Sequence, residues 1–186
     1  MKNPKHGVCP VQRAGSLDSS IRRWFQNPRK ILAPYIHEGM VALDVGCGPG
    51  FFTVALADMV GDAGRVVACD LQDEMLLKLR AKIDETPQQD RITLHKCEAD
   101  RIGVTGRVDF VLAFYVLHEI PDQLGFFEEM RSILLPVGHV LVVEPPFHVS
   151  RKAFNATIGR ALETGFATVA APRILFSKTA LLQLVP

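Results

Sequence analysis

A doubly wound, mostly parallel α/β sheet is the architecture that this 186-residue sequence predicts. Three observations point to it. Short β-branched runs alternate with segments of helical period along the chain. The runs are apolar throughout, as strands buried on both faces are. The first of them opens directly into Gly46-Cys47-Gly48-Pro49-Gly50, a glycine loop that leads into a helical pattern, the arrangement that places a ligand at the carboxyl end of a parallel strand.

Five strands are expected first, at 41–45, 65–70, 92–95, 109–114 and 139–143. The helices between them show one apolar face each: Phe52, Leu56 and Met59; Met75, Leu76, Leu79 and Ile83; Leu124, Phe127, Met130 and Leu134. Ser150 is placed to cap a later helix whose core face carries Phe154, Ile158, Ala161 and Leu162, with Gly165 where helices stop. Two more strands are expected around 167–170 and 179–185. Upstream of the sheet, Asn27-Pro28 reads as an N-cap followed by proline at the first helical position, with Pro34 kinking or ending that helix. Residues 1–27 lack strong periodicity and form either a tail or an arm over the ligand-binding edge, which leaves 28–186 as the folded domain.

Composition narrows the partners. With 21 basic and 20 acidic residues and no block of one sign, the chain lacks the electrostatic footprint of a nucleic-acid or membrane-surface binder, so a small-molecule ligand is expected. No apolar run approaches the roughly 20 residues needed to span a bilayer, and Pro4 and Pro10 interrupt the polar N-terminus, so a soluble, cytoplasmic protein is expected. The cysteines at 9, 47, 69 and 97 have no metal-like spacing, and neither a metal site nor a disulfide framework is expected.

The glycine loop is not a dinucleotide fingerprint. Counting from Gly46, the third glycine of G-x-G-x-x-G falls on Phe51, which argues against a nicotinamide-dependent oxidoreductase. Asp44, two residues before the first glycine, would repel a pyrophosphate but attract the ammonium of an amino-acid ligand; the alternative is a hydrogen-bonded loop carboxylate. Asp70 ends the second strand, where an acidic residue accepts hydrogen bonds from both hydroxyls of a ribose; the alternative is an N-cap for the helix that follows.

On these residues the sequence resembles the class I S-adenosylmethionine-dependent methyltransferases, from about residue 28 to 185. Val41 through Gly50 is similar to the family's first motif with each glycine in place, and Asp70 stands at its ribose position. Glu98-Ala99 with Ile102 resembles the adenine-loop motif, with glutamate in place of the usual aspartate, so either Glu98 or Asp100 meets the adenine amino group. Asp109–Leu112 running into Val116–Asp122, and Leu134–Pro145, continue the resemblance. It implies a Rossmann-like, seven-stranded sheet with an antiparallel last strand, and S-adenosyl-L-methionine as cofactor. The implied cofactor residues are Asp44, Gly46, Cys47, Gly48, Gly50, Asp70, Leu71 as platform beside the adenine, Glu98, Ala99 and Phe114.

Methyl transfer from a sulfonium is an in-line displacement that needs an oriented nucleophile and, for some acceptors, a base. The candidates follow the fourth and fifth strands: Tyr115, His118 and Glu119, then Glu144 and His148. His118 titrates near neutrality and is either a general base or a residue that orients its loop. Glu144 either binds the acceptor or pairs with a nearby donor. Glu144-Pro145-Pro146-Phe147 resembles the Asn/Asp-Pro-Pro-Tyr/Phe motif of amino- and base-methylating members, but it follows the wrong strand and is set aside. His6, Cys9, Arg13, Arg22, Arg23 and Trp24 give the N-terminal arm a dense mix of functional groups. The acceptor pocket is expected to be shallow or completed by that arm or by a second subunit, which makes a homodimer one open arrangement. A non-catalytic S-adenosylmethionine-binding sensor or partner subunit is the rival reading from another class.

Overall fold

The computed structural model describes residues 26–185, so the arm residues named above, from His6 to Trp24, lie outside the described residues. Helix α1 (Pro28–Leu32) starts as its sequence dictates: the Asn27 side chain accepts a hydrogen bond from the Lys30 N–H at 3.2 Å, and proline occupies the first turn. The remaining elements are β1 (Val41–Val45), α2 (Thr53–Val60), β2 (Arg65–Asp70), α3 (Asp73–Ile83), β3 (Ile92–Lys96), β4 (Val108–Phe114), α4 (Gln123–Ile133), β5 (Leu134–Glu144), α5 (Arg151–Glu163), β6 (Phe166–Ala170) and β7 (Lys178–Leu184). Short 3₁₀ turns precede β3 at Gln89–Arg91 and follow β4 at Leu117–Glu119.

The strands form one seven-stranded sheet in the order β3-β2-β1-β4-β5-β7-β6. The pairs from β3 to β5 are parallel, and β7 runs antiparallel to both β5 and β6. The strand order reverses between β1 and β4, which opens a crevice beyond their carboxyl ends, the general ligand position of such sheets. Alternate side chains feed two core layers: Phe110, Leu112 and Phe114 of β4 pack with Leu56 and Leu79 of α2 and α3, whereas Val111 and Ala113 pack with Phe126, Met130 and Phe154 of α4 and α5.

The structure shifts some predicted boundaries and faces. In α2 the buried positions are Leu56, Ala57 and Val60, and Met59 is half-buried. In α4 the Asp122 side chain accepts from the Gly125 N–H, which sets the helix start at Gln123 and leaves Leu124 exposed in the first turn; Phe126 and Ile133 complete the core face with Phe127 and Met130. Leu134 is not helical but begins β5, which shifts register against β4 between Val108 and Phe110 and pushes Val137 into solvent. In α5 the Ser150 cap forms as predicted, but Leu162 is exposed and Thr157 takes a buried place. Among the described residues no helix is long and apolar enough to cross a membrane.

Candidate active site

The crevice at the switch point holds a cavity of about 700 Å³ lined by the glycine loop, the ends of β2 and β4, and the loops after β3, β4 and β5. It brings together every predicted cofactor position except Gly50, which packs behind the loop, and the candidates Tyr115, His118, Glu119 and His148. Glu144, the remaining candidate, sits directly behind His118.

The glycine loop is held from both sides. Cys47 N–H donates to the Cys69 carbonyl at 2.9 Å, extending the β1–β2 ladder, and Gly50 N–H donates to the Cys47 carbonyl at 3.1 Å, closing the turn. Asp70 clasps the loop to the next turn: one carboxylate oxygen accepts from Gly48 N–H at 2.9 Å and the other from Gln72 N–H at 2.8 Å. Gln72, not Asp70, is the N-cap residue of α3, so the capping alternative for Asp70 does not hold. Burial pushes the Asp70 carboxyl above its ordinary range, opposed by these N–H groups and by Lys96. At Gly48, φ is +54° and nothing lies within 4 Å of where a Cβ would stand, so the loop backbone faces open cavity there.

Asp44 is buried at 2% exposure, and its carboxylate accepts the Thr53 hydroxyl at 2.6 Å. It is thus a hydrogen-bonded carboxylate, and it also lines the cavity. Thr53→Val removes the hydroxyl while keeping the shape. It is expected to destabilise the chain by about 1–3 kcal/mol, because a buried carboxylate loses a donor. Urea unfolding checks this, and an unchanged midpoint would show that the Thr53 bond is dispensable. The Cys47 thiol is pushed well above its ordinary range by burial and by Asp44 and Asp70, so it remains a neutral lining group.

On the far wall, Glu98, Ala99, Asp100 and Ile102 border the cavity with Leu71. Glu129, which sequence reasoning missed, fixes this segment: its two carboxylate oxygens accept from Ile102 N–H at 3.0 Å and Gly103 N–H at 2.8 Å. His95 adds a ring-nitrogen contact of 2.7 Å to the Ile102 carbonyl.

The β4 side carries the candidate catalytic groups. Tyr115 N–H donates to the Val143 carbonyl at 2.8 Å, extending the β4–β5 ladder by one step. The chain then turns at Tyr115, with φ of +61°, and lays the 3₁₀ turn across the end of β5. This brings His118 onto Glu144. The His118 ring Nδ1 lies 2.6 Å from Glu144 Oε2, and the His118 backbone N–H donates to Oε1 at 3.2 Å. Glu144 is 1% exposed, and its Oε2 accepts the hydrogen bond of Nδ1–H, which leaves Nε2, 3.9 Å from Glu119 Oε1, as the titrating nitrogen. The hydrogen bond to Glu144 raises the His118 pKa above its ordinary 6.5, against the opposing effect of burial. The Tyr115 hydroxyl lies 2.7 Å from Ser177 Oγ and accepts from Gln26 Nε2 at 2.8 Å, so it ties the chain entry and the β6–β7 loop to the cavity mouth. Phe147 is 93% exposed, consistent with setting aside the Pro-Pro-Phe segment. Among the described residues no cluster of three or more His, Cys, Asp or Glu is arranged to hold a metal ion.

A sheet of this order, with a glycine loop and acidic clasp at its switch point, defines the class I methyltransferase fold. The methyltransferase domain family matches residues 42–138, and the chain belongs to that family, the S-adenosylmethionine-dependent methyltransferases. A solved S-adenosylmethionine-dependent methyltransferase from Aquifex aeolicus superposes with a TM-score of 0.84 at 24% identity, covering 96% of this chain and 100% of that one. A TehB-like S-adenosylmethionine-dependent methyltransferase from Corynebacterium glutamicum gives 0.71 at 14% identity, with 95% and 100% coverage; both likenesses show the fold. A demethylmenaquinone methyltransferase from Bacillus velezensis is 30% identical over 123 residues, 66% of this chain and 52% of the relative. The chain thus spans about half the length of the curated relatives it matches.

The residues fit the family's cofactor, S-adenosyl-L-methionine. The open backbone at Gly48 admits close approach, Asp70 offers remaining lone pairs at the cavity edge, and Leu71 and Phe114 supply apolar walls.

Proposed function

We propose that this chain transfers a methyl group from S-adenosylmethionine to a small-molecule acceptor, with His118 as general base oriented by Glu144. The observation that carries the reading is the His118–Glu144 pair at the cavity wall. When bound, S-adenosylmethionine supplies an electrophilic methyl carbon on a sulfonium. The chain's part is to hold the acceptor near His118, so that the acceptor's nucleophilic atom takes the methyl group while its proton passes to Nε2 and leaves through the half-exposed ring. A partly exposed histidine backed by a buried carboxylate is an acid–base arrangement that holding the cofactor does not require, which favours catalysis over a purely cofactor-binding role. An acceptor with an acidic proton fits this pair, such as a phenol, enol or thiol. The Bacillus relatives are named for demethylmenaquinone, which makes quinone-type rings the first class to test.

The test is formation of S-adenosylhomocysteine from S-adenosylmethionine across reduced quinones, phenols and thiols, followed by mass spectrometry of the methylated product. Turnover with a member of these classes is expected. Tight cofactor binding without turnover on any of them would support the sensor reading instead.

A further inference from the structure

A second cavity, of about 320 Å³, adjoins the cofactor cavity at His118, Ile120 and His148 and runs between the 3₁₀ turn and α5. Resting on the methyl-transfer reading above, we infer that this groove is the acceptor site and that it selects small aromatic acceptors bearing a carboxylate, bound through Arg160.

Arg160 lines the groove and donates from Nη1 to Gln123 Oε1 at 3.2 Å; none of the ion pairs among the described residues includes it. Gln123 is itself fixed, since its amide donates to the Leu117 carbonyl at 2.7 Å and its oxygen accepts the Thr157 hydroxyl at 2.9 Å. The guanidinium is thus held by a residue anchored to the same turn that carries His118. Arg160 is exposed, and its planar guanidinium, oriented by this one bond, is suited to a carboxylate, which it can meet with two parallel hydrogen bonds. The carboxylate facing the groove from within is Glu144, and both of its oxygens already accept from His118. His148, on the shared wall, adds a second group able to donate to an anion.

Size and polarity set the rest of the class. The volume is at the lower end of ligand cavities, about 300–1,000 Å³, which suits one substituted ring. Ile120, Val149 and Ala153 give that ring apolar walls. An acceptor lying along the groove has its carboxylate at Arg160 and its hydroxyl at His118, on the wall shared with the cofactor.

The test is a titration of the S-adenosylhomocysteine-saturated full chain with 4-hydroxybenzoate and with its neutral isostere 4-hydroxybenzamide, following the backbone amide resonances of Ala153, Ala156 and Arg160. The acid is expected to shift them saturably and the amide to bind at least about tenfold more weakly. Arg160→Gln is expected to bring the acid down to the amide's affinity, Arg160→Lys to restore part of it, and S-adenosylhomocysteine affinity to stay within about twofold in both variants. Equal affinity for acid and amide, unchanged acid binding in Arg160→Gln, or no saturable shift with the acid would each overturn the inference. No methyl is transferred in this titration, so its failure leaves the methyltransferase reading standing; absent turnover alongside saturable acid binding would overturn that reading instead.

Discussion

Replacing His118 with glutamine is expected to lower kcat/KM for methyl transfer by about 10²–10⁴-fold, the usual contribution of a positioned general base. Glutamine keeps a hydrogen-bonding side chain of similar reach beside Glu144 but has no atom that takes up a proton near neutral pH. S-adenosylhomocysteine affinity should be unchanged, because His118 stands on the wall away from the Asp70 clasp. A loss of less than about threefold would remove His118 from the chemistry. The companion variant, Glu144→Gln, gives a signature that a merely structural role would not. In the wild type the hydrogen bond to Glu144 raises the His118 pKa above 6.5, so kcat/KM should rise as pH climbs through that raised value and the ring becomes neutral. Removing the negative charge should move the midpoint of that limb to lower pH and lower the plateau, since the base is weaker and its tautomer is no longer fixed. The same pair affects stability with a defined sign. A folded-state histidine pKa above the unfolded value of about 6.5 contributes stability fully present below that value and lost as pH rises through the folded pKa. The stability gap between wild type and Glu144→Gln should therefore be wider in mild acid than in alkali.

The fold was more legible in the sequence than the pairing of its candidate catalytic groups, for a physical reason. Strands such as Val41–Val45 and Val108–Phe114 are buried on both faces, so nearly every side chain in them is apolar and the run stands out whatever its neighbours are. The start of β5 was hidden because Leu134-Leu135-Pro136-Val137-Gly138 reads locally as a helix end and a turn, whereas the chain there continues as an irregular strand against Val108. The cofactor loop was legible because glycine and carboxylate spacing along a single strand-turn-helix unit encodes it. His118 and Glu144 were each marked as candidates, but their contact depends on β4 and β5 lying side by side, a relation between segments 26 residues apart. Glu129 escaped notice entirely. Its position on α4 looks like any solvent-facing carboxylate, and only the approach of the Ile102-Gly103 backbone gives it a purpose.

Asp70→Ala is expected to weaken S-adenosylhomocysteine binding by about 10²–10⁴-fold, the equivalent of two charge-assisted hydrogen bonds to ribose hydroxyls at about 1.5–3 kcal/mol each. The alanine variant also releases Gly48 N–H and Gln72 N–H, so part of its loss comes from a loosened glycine loop. Asp70→Asn separates the two effects. Asparagine retains one acceptor oxygen and leaves one of the two backbone N–H groups without its partner, a destabilising change. Against that, burial has already raised the Asp70 pKa, which means the ionised carboxylate lowers the stability of the free protein at neutral pH relative to its protonated form. Replacing it with a neutral amide relieves that burden. The two effects oppose, so the melting temperature of Asp70→Asn should move little while its affinity, read by calorimetry, still falls by at least tenfold. Affinity within threefold of the wild type would mean that Asp70 serves the loop alone and that another group holds the ribose. A steep drop in melting temperature with affinity intact would place the carboxylate's value in folding instead. The carboxylate is thus expected to serve the ligand at some expense to the free protein, as groups at binding sites commonly do.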